Sequence, residues 1–289
     1  MKKWIAFIVI LNLCQLAYPS ETNGEAAPEM QIHFIDVGQG DSMFIRTPMN
    51  RTILVDGGPP GAGDEIVSYL RKQNIKKLDL VVATHPDMDH IGGLPEVMKH
   101  IEVKEILDTG KLHPTKTFAA YINEVRKQSI PVRIAEKDTS IEIDPMMKME
   151  VWNAFERLKN NNESSIVLKI TYGEVDLLLM SDVEQEQEKA FLHDYNVKAE
   201  IIKVAHHGSK TSSSLEFLQG VQPEVAILTY SKENDYGHPV NRVIENLYRV
   251  HSMIYSTAAV GNVVINTDGT DYIIIPEKNP VNKLIESAG

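Results

Sequence analysis

Apolar runs broken by turn residues organise the first half of the chain. Three short strands are predicted there, at residues 31–37, 42–47 and 52–56. The segments between them are rich in Gly, Pro, Asn and Asp, which favour turns. Apolar residues then recur at helical spacing in residues 63–73, which predicts a helix. A buried strand at residues 78–83 follows and runs directly into His85.

The second half repeats this alternation of strands and helices. Residues 165–171 and 175–180 predict a hairpin around the turn Tyr172-Gly173-Glu174. The other predicted elements are a helix at 184–193, strands at 200–205 and 225–229, a helix at 240–250, and strands at 263–266 and 272–275. Strands that alternate with helices are typical of a layered α/β fold.

Three of the apolar strands end in side chains that can bind metals. They run into His85, into Asp182 and into the pair His206-His207. In layered α/β folds, ligands collect at the edge of the sheet where strands give way to loops. We therefore expect these three clusters to meet on one rim.

Composition narrows the class of protein. The chain has 289 residues, of which 43% are hydrophobic and 24% charged, and this suits one large globular domain or two small ones. The formal net charge of −11 argues against a general nucleic-acid binder, so no stable nucleic-acid complex is expected. A local basic groove remains compatible with this average. No multi-span segment is present, so we do not expect a transmembrane channel.

The N-terminus has the layout of a secretory signal. Lys2 and Lys3 precede an apolar run at residues 4–13, which is too short for a comfortable membrane span. We predict a signal peptide at residues 1–20, a linker at 21–29 and one domain at 30–289. The expected location is secreted or extracytoplasmic, and an N-terminal membrane anchor is the alternative.

The cysteine count restricts any metal site. Cys14, inside the predicted signal peptide, is the only cysteine of the chain. A metal site in the mature protein therefore has to use His and carboxylate side chains.

One segment concentrates such side chains. Residues 84–93 contain His85, Asp87, Asp89 and His90 within six positions, a mixture that suits Zn²⁺ or Mn²⁺. The paired glycines at 92 and 93 allow a tight turn, and a helix starting near Gly92 would direct its positive end at the acidic ligands. A solvated acidic turn is the alternative interpretation, and the other two strand-end clusters weigh against it.

With these motifs the chain resembles the metallo-β-lactamase superfamily. That superfamily has the signature HxHxDH, and this chain reads HxDxDH, with Asp87 at the second His. Within the superfamily it is most similar to the hydrolase domain of ComEC-type DNA-uptake proteins and their free-standing secreted relatives. The matching segments, spread over about residues 31–277, are FIDVGQGDS at 34–42, LVDGG at 54–58, NESSIVL at 162–168, AHHGS at 205–209 and YGHP at 236–239.

The resemblance implies a fold and a set of roles. The fold is an αββα sandwich of the α/β class, with two mixed sheets and helices on the outer faces. It implies two divalent metal ions and roles for these residues: His85 and Asp87 at metal one; Asp89, His90 and one of His206 and His207 at metal two; Asp182 bridging both; Asp56 holding the ligand loop by hydrogen bonds; and Gln39 and Asp41 shaping the site.

One position departs from the family pattern. The fifth ligand is usually a His, but the corresponding residues 160–165 read Asn-Asn-Asn-Glu-Ser-Ser. Metal one is then expected to be weaker, richer in water or completed by another oxygen, which shifts the choice from Zn²⁺ toward Mn²⁺.

The expected activity is hydrolysis by a metal-bridged hydroxide, with Asp89, Asp182 and His238 as catalytic residues. The substrate contains a phosphodiester, and DNA leads by resemblance. His238 would donate to a phosphoryl oxygen or protonate the leaving group. Lys203 and Lys210 flank the histidine pair as anion contacts or as solvated lysines. Two alternatives stay open: hydrolysis of another extracellular ester, such as a wall-polymer phosphodiester, and a metal-binding interaction module with little turnover.

Overall fold

The computed structural model describes residues 28–157 and 159–278, which form two facing sheets with helices outside. The predicted signal peptide and most of the predicted linker lie outside the described residues, as do residues 279–289. None of the helices formed by the described residues has the length and apolar character needed to cross a membrane.

The strands are short and separated by many connections. In chain order they are β1 (Met30–Phe34), β2 (Met43–Arg46), β3 (Thr52–Val55), β4 (Lys77–Leu78), β5 (Leu80–Ala83), β6 (Glu102–Val103), β7 (Ile106–Asp108), β8 (Val132–Ile134), β9 (Thr139–Ser140), β10 (Lys148–Asn153), β11 (Val167–Tyr172), β12 (Val175–Leu179), β13 (Ile201–Lys203), β14 (Val225–Leu228), β15 (Met253–Ser256), β16 (Val263–Thr267) and β17 (Tyr272–Pro276).

Helices fill most of the longer connections. They are α1 (Gly63–Lys72), α2 (Met88–Ile91), α3 (Leu94–His100), α4 (Lys116–Gln128), α5 (Gln185–Asp194), α6 (Leu215–Val221), α7 (Asn241–Arg249) and α8 (Thr257–Val260). A short 3₁₀ turn lies at Pro60–Ala62, and Ala205–Gly208 form a tight turn in which His206 and His207 have left-handed backbone conformation.

Both large sheets are mixed. The first has the order β17-β16-β1-β2-β3-β5-β7-β8, and the second has the order β15-β14-β13-β12-β11-β10-β9. In the first sheet β3, β5, β7 and β8 run parallel, and in the second β12 to β15 do so, while the remaining pairs are antiparallel. The two halves thus share one plan, and β4 with β6 forms a small separate ladder.

Alternate residues of the central strands face two different layers of the core. In β3, Ile53 and Val55 pack between the sheets, whereas Leu54 faces the helices of the first half. β5 behaves in the same way, which explains why both strands are buried at every position. A third cluster joins the second sheet to α5, α6 and α7. The predicted αββα sandwich is confirmed.

Some element predictions need correction. The strand expected at 78–83 is interrupted at Asp79, whose carboxylate accepts hydrogen bonds from the backbone N–H and the hydroxyl of Thr52. The last two strands return to the first sheet, where β16 pairs with β1. The helix expected near Gly92 is two helices, α2 and α3, because α2 begins before the glycines.

Candidate metal centre

The three predicted strand-end clusters lie on one rim, between the two sheets. β5 leads into His85, β12 leads into Asp182, and β13 leads into His206-His207. Because β12 and β13 are parallel neighbours, their carboxyl ends reach the same edge. Ring nitrogen Nε2 of His85 lies 3.9 Å from Oδ2 of Asp182, so the two halves of the chain meet here.

Asp182 is the centre of the cluster. Its Oδ2 lies 3.4–3.9 Å from Nε2 of four histidines: His85, His90, His206 and His207. The Asp182 backbone N–H donates to the hydroxyl of Ser165, 3.2 Å away. Burial opposes ionisation of the carboxyl, but the surrounding imidazoles hold the pKa of Asp182 well below its usual value.

The acidic motif forms the turn from β5 into α2. Asp87 occupies the N-cap of α2 in extended conformation, but its side chain makes no capping hydrogen bond. Its Oδ2 lies instead 3.6 Å from Nε2 of His85. Asp89 faces the other side, with Oδ2 3.4 Å from Nε2 of His207. The HxDxDH spacing therefore presents its carboxylates to different histidines.

A close backbone approach holds this turn in place. The N–H of Gly57 donates to the carbonyl of His90 at 2.6 Å, and the N–H of Gly93 donates to the carbonyl of Gly58. A Cβ at Gly93 would lie 2.2 Å from the carbonyl oxygen of Gly57, so a side chain is excluded. The tight packing expected of the paired glycines is present.

The three fully buried histidines of the cluster, His85, His90 and His207, each have Nδ1 turned toward an oxygen. Nδ1 of His85 lies 3.1 Å from the hydroxyl of Thr84, and Nδ1 of His90 lies 2.8 Å from Oδ2 of Asp56. Nδ1 of His207 donates to the carbonyl of Thr229 at 2.8 Å. A hydrogen bond at Nδ1 leaves Nε2 with the free lone pair that a metal requires.

The free nitrogens supply the test of whether metal ions fit. Nε2 of His85, His90 and His207 and Oδ1 of Asp182 are buried and have no hydrogen-bond partner among the described residues. Buried polar atoms are normally paired. Imidazole nitrogens and carboxylate oxygens that converge without partners fit divalent metal ions such as Zn²⁺ or Mn²⁺.

Ligand atoms from two overlapping sets lie within 4.8 Å of one another. One set is His85, His90 and Asp182, and the other is Asp89, His90 and His207. The sequence left open which member of the histidine pair joins Asp89 and His90, and the geometry favours His207. His206 is more exposed, and its Nδ1 lies 3.4 Å from the hydroxyl of Thr211.

Asp56 lies behind the ligands. Its carboxylate accepts the backbone N–H of Thr84 at 2.9 Å and the hydroxyl of Thr84 at 2.7 Å, besides facing Nδ1 of His90. These contacts are of the kind expected from the sequence. Asp56, Asp41 and His90 also come close enough to suggest a third ion, but hydrogen bonds already occupy both carboxylates.

The structure contradicts both expectations for Lys203. It is neither an anion contact nor solvated, because it is fully buried and its Nζ lies 2.6 Å from Oδ2 of Asp41. Burial opposes ionisation of Asp41, but the ammonium group beside it keeps the pKa of that carboxyl below its usual value. Lys210, by contrast, is exposed. The sequence did not reveal this burial, because a strand lysine that faces inward has the same sequence pattern as one that faces solvent.

A polar pocket of about 220 Å³ opens onto the cluster. Its lining includes Gln39, whose side-chain oxygen accepts the N–H of Ser231, and His238. Burial and the neighbouring His206 and His207 lower the pKa of His238 to about 4.

Two features of the site escaped the sequence analysis. Tyr236 lines the pocket with its ring 5.7 Å from that of His238. Asn161, in the segment that lacks the usual His, donates from its amide to Oδ1 of Asp87 at 2.6 Å. Its place in that segment was the available signal, but an Asn-rich loop does not reveal which amide turns inward.

Comparisons with known proteins identify the family. The family model described as the metallo-beta-lactamase superfamily matches residues 35–231. ComE operon protein 3 of Bacillus subtilis (strain 168) is 29% identical over 253 residues, covering 81% of this chain and 33% of the relative. Competence protein ComA of Neisseria gonorrhoeae is 31% identical over 237 residues, covering 79% and 31%. The chain thus spans about a third of the length of these relatives.

Solved structures add a comparison of folds. The metallo-beta-lactamase fold protein YhfI from Bacillus subtilis is similar with a TM-score of 0.56 at 14% identity, covering 83% of this chain and 100% of that chain. This likeness concerns the fold alone. Together with the relatives, it confirms the resemblance drawn from the sequence motifs.

Proposed function

The chain belongs to the metallo-β-lactamase superfamily, and from this premise we propose that it is a metal-dependent phosphodiesterase that acts on nucleic acid strands. Two divalent ions, Zn²⁺ or Mn²⁺, would be held by His85, Asp87, Asp89, His90, Asp182 and His207, with His206 beside them. The observation that carries the proposal is the convergence of buried, unpartnered Nε2 atoms around one carboxylate.

When bound, the ions would supply Lewis acidity and lower the pKa of a coordinated water to about 7. Asp182 would hold both ions, since its Oδ2 is near the histidines of both ligand sets and its Oδ1 has no hydrogen-bond partner among the described residues. The protein needs no side-chain nucleophile for this chemistry. Its residues fix the ligands and shape the pocket.

His238 is proposed to bind a phosphoryl oxygen. With a pKa of about 4 its ring is neutral at neutral pH, and nearby dications would lower the pKa further. A neutral imidazole donates one hydrogen bond and accepts another. Donation to a substrate oxygen is therefore favoured over proton transfer to the leaving group.

Tyr236 favours nucleic acid over a wall polymer. Its side chain is 66% exposed, and its ring lies at 25° to that of His238 in the lining of the same pocket. Exposed aromatic rings bind unpaired bases by stacking, worth about 1–3 kcal/mol per base. Glycerol phosphates offer no such flat face. The net charge of −11 does not favour a broad contact with duplex, so a single strand or strand end is the proposed substrate.

The sequence of the N-terminus supports action outside the cytoplasm, where the proposed substrate would be external DNA. Similarity to proteins named for competence is consistent with this. The whole activity of those longer relatives is not carried over.

A substrate screen tests the proposal. The purified protein is stripped with a chelator, reloaded with Mn²⁺ or Zn²⁺, and assayed on bis-p-nitrophenyl phosphate, single-stranded DNA and a glycerol-phosphate polymer. We expect metal-dependent cleavage of the first two. Cleavage of the polymer alone would favour the wall-polymer alternative. Two bound metals without turnover on any substrate would favour the interaction module.

A further inference from the structure

The Lys203–Asp41 pair is sealed inside the protein behind the site. Both residues have no solvent exposure, and their charged atoms lie 2.6 Å apart. Lys203 ends β13 of the second sheet, whereas Asp41 lies in the turn after β1 of the first. A buried ion pair is often no more stabilising than apolar residues of similar volume. Stability alone is therefore a weak reason for its presence.

The contacts of Asp41 point to the ligands. Its Oδ1 accepts the hydroxyl of Thr229 and lies 3.5 Å from Nδ1 of His207. The carbonyl of Thr229 accepts the Nδ1 proton of His207 at 2.8 Å. The backbone N–H of Asp41 donates to the carbonyl of Asp89 at 3.1 Å. Asp41 thus contacts Thr229, which holds the ring of His207, and the backbone of Asp89. The ligand atoms of His207 and Asp89 face each other.

We propose that Lys203 and Asp41 act as a pair of positioning residues for the metal ion held by His207 and Asp89. The inference rests on the metal site of the proposed function. A hydrogen-bond acceptor at Nδ1, here the carbonyl of Thr229, fixes the ring of His207 and makes Nε2 a better ligand. Lys203 keeps Oδ2 of Asp41 engaged, so that the carboxylate does not rotate onto Nδ1 and displace the carbonyl of Thr229. Neither residue touches the ion or the substrate.

The chain contains a matched control. Lys169 of β11 is also buried, with 4% exposure, and its Nζ lies 2.9 Å from Oδ2 of Asp176. Neither Lys169 nor Asp176 contacts a proposed ligand. The two test proteins are Lys203→Met with Asp41→Asn, and Lys169→Met with Asp176→Asn.

Metal binding is measured by titration calorimetry with Mn²⁺ on the chelator-treated full chain, together with the melting temperature. We expect the Lys203/Asp41 variant to bind one ion about 10- to 100-fold more weakly, as is typical when an outer hydrogen-bond partner of a metal ligand is lost. The Lys169/Asp176 variant should lower the melting temperature without changing the isotherm.

Wild-type Mn²⁺ affinity in the Lys203/Asp41 variant would overturn the inference and leave the pair a purely structural role. If that variant does not fold, Thr229→Val replaces it, since this change cuts the hydrogen bond through which Asp41 holds the residue that supports His207. Unchanged Mn²⁺ affinity in Thr229→Val would overturn the inference equally. The titration needs no turnover, so weakened binding in a chain that cleaves no phosphodiester would support this inference and reject the proposed function.

Discussion

The histidines of the site are oriented one residue at a time. Thr84, Asp56 and Thr229 each take the Nδ1 side of one imidazole, so that Nε2 points inward. Such partners fix the tautomer and the ring angle before any ion arrives. The ligand side chains are therefore largely organised by their immediate neighbours.

Replacing the shared carboxylate tests this arrangement. Asp182→Asn keeps the shape of the side chain but removes the charge that would hold the two proposed dications close together. We expect a folded protein that loses at least one metal ion and nearly all hydrolysis, measured by circular dichroism, metal analysis and turnover. Asp64→Asn, at an exposed carboxylate of α1, is the control and should behave as wild type. Full metal content with near-normal turnover in Asp182→Asn would contradict the bridge.

Asp56 should matter less than Asp182, since it acts through His90 and Thr84. Asp56→Asn is expected to lower metal affinity or activity by about 10- to 100-fold. The same assays measure it, and a loss as complete as that of Asp182→Asn would show that the carboxylate itself binds metal.

Tyr236 tests the identity of the substrate. Tyr236→Ala should raise KM for single-stranded DNA about 5- to 100-fold, the loss of one stacked base, while Tyr236→Phe keeps the ring and near-normal KM. An alkyl phosphodiester without a base, cleaved slowly by all three proteins, is the control. Equal KM values for DNA in Tyr236→Ala and wild type would remove the argument for nucleic acid.

Among the elements, the turns at strand ends carry unusual backbone conformations. Asp56, Ser181, His206 and His207 all have positive φ, between 46° and 59°. Non-glycine residues in this region are uncommon and cost about 1–3 kcal/mol each. The strands and helices on either side hold these turns in place, and the strained residues surround the proposed metals.

A backbone contact also joins the two sheets at a point far from the proposed metal site. The turn of the β11–β12 hairpin meets the β16–β17 turn, where the N–H of Glu174 donates to the carbonyl of Gly269 at 2.6 Å. Gly173 has φ +60°, and a Cβ there would lie 2.1 Å from that carbonyl oxygen. Gly173→Ala should therefore lower the free energy of unfolding by about 1–3 kcal/mol. Urea denaturation measures this, and Gly61→Ala, where a Cβ meets open space, should change little.

The elements also show what the sequence can predict. The strands that lead into the site could be predicted, because each is an apolar run followed directly by His or Asp. Beyond the helix expected near Gly92, residues 94–164 received no element assignment. The exposed β8 and the two-residue β9 give no pattern, but the helix α4 and the strand β10 of this range are regular elements that were missed. The return of β16 to the first sheet was missed, because partners in a ladder are chosen by tertiary contacts. The inward-facing lysine was missed for the same reason, since Asp41 lies 162 residues away.

At the scale of the whole molecule, both halves supply ligands to one centre. The motif at residues 85–90 belongs to the first half, and Asp182 with the histidine pair belongs to the second. An ion that binds this centre therefore binds only the folded chain. Any metal affinity adds directly to stability.

Metal removal should consequently lower the melting temperature. At a free metal concentration of 100 times Kd, a single site adds about 2.7 kcal/mol. Calorimetric melting with Mn²⁺ and with a chelator measures the difference, and Asp182→Asn should show a much smaller one. If the wild-type melting temperature is the same with Mn²⁺ and with a chelator, that result would count against a metal site shared by both halves.

Export is also a property of the whole molecule, and it can be tested directly. If the N-terminal pattern is a cleaved signal, protein recovered from culture medium should begin between about residues 18 and 29. N-terminal sequencing decides this. An intact Met1 on cytosolic protein would exclude it.

The position of the ligands at the seam between the sheets also sets an order of events in folding. Thr84 and Ser181, whose hydroxyls meet beside the site at 2.9 Å, are 97 residues apart in the chain. Contacts between such distant residues form late, after each local unit has begun to assemble. Ions captured only at that stage would leave the refolding rate nearly unchanged and would slow unfolding. The metal centre would then stabilise the chain only after it has folded, by slowing its unfolding.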